Sequence, residues 1–139
     1  MTPFDLSAVI ASGFVATFVM TLVSYAVGGD GLSYLDALWS LIELRLGATA
    51  GGLSVLVLFF VGIVLAALFA AVWLPLTGLA PLIGGVLFGA TLSVPGLTSL
   101  VIVDMRAVGK GRRKRLLVSV FVSHLSYGLV MGGYYGLLA

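Results

Sequence analysis

Four stretches of the chain run long enough to cross a bilayer without a single Asp, Glu, Lys or Arg. They are residues 6–27, 53–74, 82–103 and 116–138. About 20 apolar residues of helix span a hydrocarbon core of roughly 30 Å, so each run suffices. Backbone polar groups in lipid find no water and must bond within their own segment, which makes the runs helices. The expectation is an all-α integral membrane protein, one domain over residues 1–139, with four transmembrane helices. Composition agrees. With 61% apolar and 9% charged residues, the chain has too little polar surface for a soluble domain, where charged residues make up roughly a quarter. The start, Met1 to Leu6, has no Lys/Arg-rich region ahead of the first run, so that run is expected to be a retained span and not a signal peptide.

The connections differ in character. Between the first two runs, Ser33-Tyr34-Leu35-Asp36 resembles a capping box. Asp36, Ser40, Glu43 and Gly47 then form one polar stripe, with Leu35, Leu38, Trp39, Leu41, Ile42 and Leu46 covering the rest. Residues 34–46 are expected to be a short amphipathic helix lying in the interface, with Tyr34 and Trp39 at headgroup depth; a buried, non-spanning helix is the alternative. The connection Pro75 to Pro81 is short and uncharged, which implies a tight antiparallel hairpin. The third connection, residues 104–115, holds Arg106, Lys110, Arg112, Arg113, Lys114 and Arg115, six of the seven basic residues. With Arg45, all seven fall on one side of a four-span topology. The positive-inside rule then places loop 104–115 in the cytoplasm and both termini outside, in a prokaryotic plasma membrane. Six basic residues beside two spans are explained by topology and by anionic headgroups, or by an acidic partner. No nucleic acid is expected.

Lipid tails compete for leucine, so helices in membranes associate through small residues that allow close approach. Each run carries such a stripe among the 19 glycines and their small neighbours. They are Gly13, Thr17 and Thr21; Gly62, Ala66 and Ala70; Gly85, Gly89 and Ser93; and Gly128, Gly132 and Gly136. The stripes can serve internal packing or a partner. Pro95-Gly96 interrupts the third run, and a structural kink is expected there.

Candidate chemistry is sparse. His124 is the one histidine, about 12 Å into the last run at 1.5 Å per residue. An ionisable residue at that depth is a functional candidate by default. It can contact a quinone, a lipid or a partner, ligate haem with Met20, Met105 or Met131, or simply bond to a neighbouring helix. Without cysteine, a second histidine or paired intramembrane carboxylates, no triad, zinc site or proton relay assembles. No metal and no bound cofactor are expected, and the chain reads as not an enzyme.

The segment His124-Leu125-Ser126-Tyr127-Gly128-Leu129-Val130-Met131-Gly132 is similar to the His-x-x-Tyr-Gly-x-x-x-Gly last helix of a family of small four-span prokaryotic membrane proteins known as a domain of unknown function. Residues 12–21 and 85–89 resemble that family's first and third helices. The resemblance implies a four-helix membrane fold and no activity. Family members often carry a histidine four residues before the glycine of helix two; here Leu58 stands before Gly62. The expected function is a non-catalytic accessory subunit of a larger membrane complex, with a respiratory or electron-transfer assembly as host and other integral subunits as partners. The alternatives are a small homo-oligomeric transporter or channel, and a free-standing sensor or lipid-binding protein.

Overall fold

The computed structural model describes residues 5–28, 51–102 and 110–139, and within them the side chains of 5–28, 55–98 and 113–139. The expected interfacial helix 34–46, with Trp39, lies outside the described residues, as does Arg106. Helix α1 is Leu6–Gly28. Helix α2 is Gly51–Leu68, continued through a π-helical segment Phe69–Trp73 and a last α-turn Leu74–Thr77. Helix α3 is Pro81–Ile102 and α4 is Lys110–Leu138. No strand occurs among the described residues. Four helices are long and apolar enough to cross a membrane.

Two boundaries differ from the sequence expectation. The second helix runs past Pro75 to Thr77, so the connection shrinks to Gly78, Leu79 and Ala80. A proline ring clashes with the carbonyl four residues back, here that of Ala71. Ala71 sits inside the π-helical segment, whose wider turn accommodates the ring. Gly78 then ends the helix in the left-handed conformation, φ 64°, its N–H donating to Leu74 O at 2.9 Å. That cap is one that glycine adopts without a steric penalty. The second difference is at α4, which begins at Lys110 and has 29 residues. The basic residues from Lys110 onward belong to its first turns, as Lys and Arg are good helix formers. Pro95, the expected kink site, lies within α3.

Helix α4 is central. It packs against α1 on one side and α3 on the other, and α1 in turn carries α2. The second helix meets α3 near their hairpin, where Trp73 Nε1 donates to Gly84 O at 3.0 Å. The starts of α1 and α3 and the ends of α2 and α4 gather at one end of the bundle. There Tyr135 lies beside Asp5, and Pro81 against Gly132 and Gly136.

The core joins Val9, Ala16 and Met20 to Ala66 and Phe69, Phe88, Tyr127, Met131 and Tyr135. Phe69 is its aromatic hub, 5.5 Å from the Phe88 ring and edge-on to Tyr135 at 6.1 Å. A smaller cluster near the basic end holds Leu116 and Val120. In α1 the buried face is Ala8, Val9, Ser12, Gly13, Ala16, Thr17, Met20 and Ser24, while Ile10, Phe14, Phe18 and Leu22 are exposed. Small and hydroxylated residues point inward and large apolar ones outward. That reverses the order of a water-soluble bundle, whose exposed apolar patches stay small.

The first helix is capped by Asp5. Its Oδ1 accepts the Ser7 hydroxyl at 2.6 Å and the backbone N–H groups of Ser7 and Ala8 at 2.8 and 3.2 Å. These donors, the Ser7 hydroxyl first, hold the carboxyl below its ordinary value of 3.8. A carboxylate depressed by folding contributes stability above its unfolded value and loses it as pH falls through the folded one. The start of α1 should therefore stay capped down to about pH 3.8 and fray below it. Protection of the Ser7 and Ala8 amides relative to their intrinsic exchange rates should fall in acid, whereas D5A should show the lower protection at every pH.

Candidate functional site

The interior holds two kinds of unusual residue, glycines in register and buried hydroxyls. Between α3 and α4, Gly85 and Gly89 face Gly128 and Gly132. A Cβ placed on Gly85 would strike Gly128 O and come within 2.8 Å of Gly132 Cα. One on Gly89 would strike His124 O and come within 3.1 Å of Gly128 Cα. The relation is reciprocal, since a Cβ on Gly128 meets Gly85 O and lies 2.8 Å from Gly89 Cα. The obstacles are backbone atoms, so neither helix can yield by a rotamer change. A Cβ on Gly136, the last of the stripe, would lie 3.1 Å from Pro81 Cβ. Between α1 and α2, a Cβ on Gly13 would come within 2.8 Å of Ile63 Cα, and one on Gly62 would strike the Thr17 hydroxyl. The stripes thus meet one another inside the bundle.

The hydroxyls are consumed locally. Ser12 donates to Val9 O at 3.1 Å, Thr17 to Gly13 O at 2.7 Å, Ser93 to Ala90 O at 2.6 Å and Ser123 to Val120 O at 3.0 Å. These are bonds back to the preceding turn, the habit of Ser and Thr within apolar helices. Other links cross between helices, among them a 3.5 Å contact between the Ser24 and Ser119 hydroxyls. Ser119 donates to Ser24 O at 3.2 Å, tying α4 to α1 near the basic end. The fully buried Tyr127 donates to Gly62 O at 2.5 Å, tying α4 to α2. Among the described residues, no buried side-chain nitrogen or oxygen lacks a partner.

His124 sits between α3 and α4. Its Nδ1 is 2.8 Å from Val120 O. A carbonyl only accepts, so Nδ1 carries the hydrogen. The opposite edge of the ring abuts Gly96. A Cβ on Gly96 would lie 2.9 Å from His124 Cε1 and 3.3 Å from Nε2. Nε2, the atom with which this tautomer would ligate a metal or accept from a quinol hydroxyl, therefore faces the α3 backbone. Of the sulfur partners considered, Met20 and Met131 are buried in the main core, and Met105 lies outside the described residues. Among the described residues, no group of three His, Asp or Glu side chains is placed to hold a metal ion.

The charged candidates lie apart from this interior. Arg113, Lys114 and Arg115 are exposed on the first turns of α4, while Lys110 and Arg112 belong to the same helix with side chains outside the described residues. The structure does not bring the basic cluster and His124 together: nine residues of helix, about 14 Å of rise, separate Arg115 from His124. The Tyr127–Gly62 and Ser119–Ser24 bonds and the contact of Gly96 with His124 were not anticipated, because each joins residues on different runs. No family model, curated protein or solved structure matches the chain.

Proposed function

We propose that this chain is a non-catalytic accessory subunit of a larger membrane complex, spanning a prokaryotic plasma membrane four times. The observation that carries this reading is the exhausted interior. Among the described residues every buried side-chain nitrogen and oxygen has a partner, most of the buried hydroxyls bonding to a carbonyl of the bundle and Ser24 to the Ser119 hydroxyl, and glycine contacts close the helix interfaces. A transporter or enzyme needs polar groups that change partners during its cycle, and these have none to spare. The large apolar side chains turned outward from α1 and α2, such as Phe14, Phe18, Phe60 and Leu68, suit lipid or neighbouring spans, since a subunit that does no chemistry acts through its outer surface. The basic end of α4 faces the cytoplasm, with both termini outside, because the positive residues gather there. A respiratory or electron-transfer assembly is the proposed host, and the likeness of residues 124–132 to a four-span family agrees with a small membrane subunit.

The test is purification of the native protein in mild detergent, followed by mass spectrometry of what accompanies it. Stoichiometric recovery of larger integral subunits, redox proteins among them, is the expected result. A homo-oligomer alone, conducting a solute in vesicles, would replace this reading with that of a small transporter or channel.

A further inference from the structure

The basic start of α4 stands directly above two recesses. The first is an open groove between α3 and α4 lined by Leu97, Thr98, Leu117, Val118 and Phe121, with a volume of about 530 Å³. That lies within the roughly 300–1,000 Å³ of ordinary ligand sites. Among its described lining residues the one hydroxyl, on Thr98, donates back to Val94 O at 2.8 Å, so these walls offer an occupant apolar contact. The second is a notch between α1 and α4 lined by Val27, Lys114, Arg115 and Val118. Val118 is common to both, so groove and notch adjoin around the same residue.

Helical spacing gives the order of these side chains. Residues four apart share a face, which puts Arg113 over Leu117 and Phe121, and Lys114 over Val118. From Lys114 to Phe121 is about 10 Å along the axis. Cationic head and apolar trough therefore succeed each other in one direction. That is the profile of an amphiphile with a negative head and a hydrocarbon tail, and a free anion would use only half of it.

We propose that this junction binds one anionic glycerophospholipid, its phosphate held by Lys114 and Arg115 in the notch and one acyl chain lying along Leu117, Val118 and Phe121. The proposal deepens the reading of the basic end as facing an anionic leaflet, turning diffuse attraction into a discrete site. It does not depend on which complex hosts the chain, so loss of one leaves the other standing.

The test is native mass spectrometry of the delipidated full chain in detergent. It is titrated with a phosphatidylglycerol, with a phosphatidylcholine of the same acyl chains, and with inorganic phosphate. One phosphatidylglycerol per chain is expected to bind at least tenfold more tightly than phosphatidylcholine, and millimolar phosphate is expected not to displace it. The double variant K114Q/R115Q should abolish the preference between the lipids. V118W, which fills the groove at an exposed position, should weaken both by about tenfold. Circular dichroism at the wild-type level verifies that each variant is folded. Equal binding of the two lipids by the wild type, a preference that survives K114Q/R115Q, or displacement by phosphate would each overturn the proposal, the last by showing a free-anion site.

Discussion

Gly128→Ala is expected to destabilise the bundle by about 3 kcal/mol, the upper part of the range for overpacking a tight interface. The added methyl would strike Gly85 O and lie 2.8 Å from both Gly89 Cα and Gly89 N. All are backbone atoms, so relief requires α3 and α4 to separate along the interface, and with them the adjoining contacts of Gly85, Gly89 and Gly132. Gly133→Ala is the matched control one residue away. The nearest atom to its new methyl would be Leu82 Cδ1 at 3.4 Å, a movable side-chain end. Its effect should stay within about 0.5 kcal/mol, as for substitutions outside special sites. Gly96→Ala should fall between them, because the atoms it would meet belong to the side chains of His124 and Val120. Equilibrium unfolding in mixed micelles, followed by circular dichroism, ranks the three. Equal losses at positions 128 and 133 would mean that helix approach is not what these glycines provide.

Tyr127→Ala should cost about 4 kcal/mol, in the range for truncating a fully buried aromatic. Tyr127 is 1% exposed and belongs to the core that draws on all four helices, so its removal leaves a cavity among them. Tyr127→Phe separates the two roles of the side chain. It keeps the ring and deletes only the bond to Gly62 O, and hydrogen bonds between membrane helices are worth about 0.6 kcal/mol on average and up to about 1.7. The same unfolding measurement should give a Phe variant close to wild type and an Ala variant far from it. A Phe variant as unstable as the Ala variant would make the hydroxyl, and not packing, the main contribution of this residue.

The fold class was legible because lipid imposes simple rules on sequence. Uncharged runs of the required length specify four helices long and apolar enough to cross a membrane. The stripes Gly85–Gly89 and Gly128–Gly132 were visible as well, since close approach of backbones demands small residues every fourth position. Their pairing was not, because any of four stripes could have faced any other, and only the bundle shows that α4 lies between α1 and α3. The π-helical segment before Pro75 was hidden because a proline ordinarily reads as a helix boundary. The start of α4 at Lys110 was hidden because charge reads as loop in a membrane chain, although Lys and Arg favour helix. At His124 the sequence showed depth but not orientation. The ring edge that a ligand would need lies against Gly96, a contact between residues 28 positions apart in separate helices.

Among the described residues the interior is closed, its buried polar side chains paired within the bundle. The chain contains no cysteine, so single substitutions report accessibility directly. Ser123→Cys replaces a fully buried hydroxyl on α4, and Ala139→Cys supplies an exposed control at the end of the chain. Each is treated in native membranes with a membrane-impermeant thiol reagent applied to both faces. The closed bundle predicts full modification at position 139 and none at position 123. Modification at position 123 comparable to that at 139 would show an aqueous path through the bundle and contradict the account.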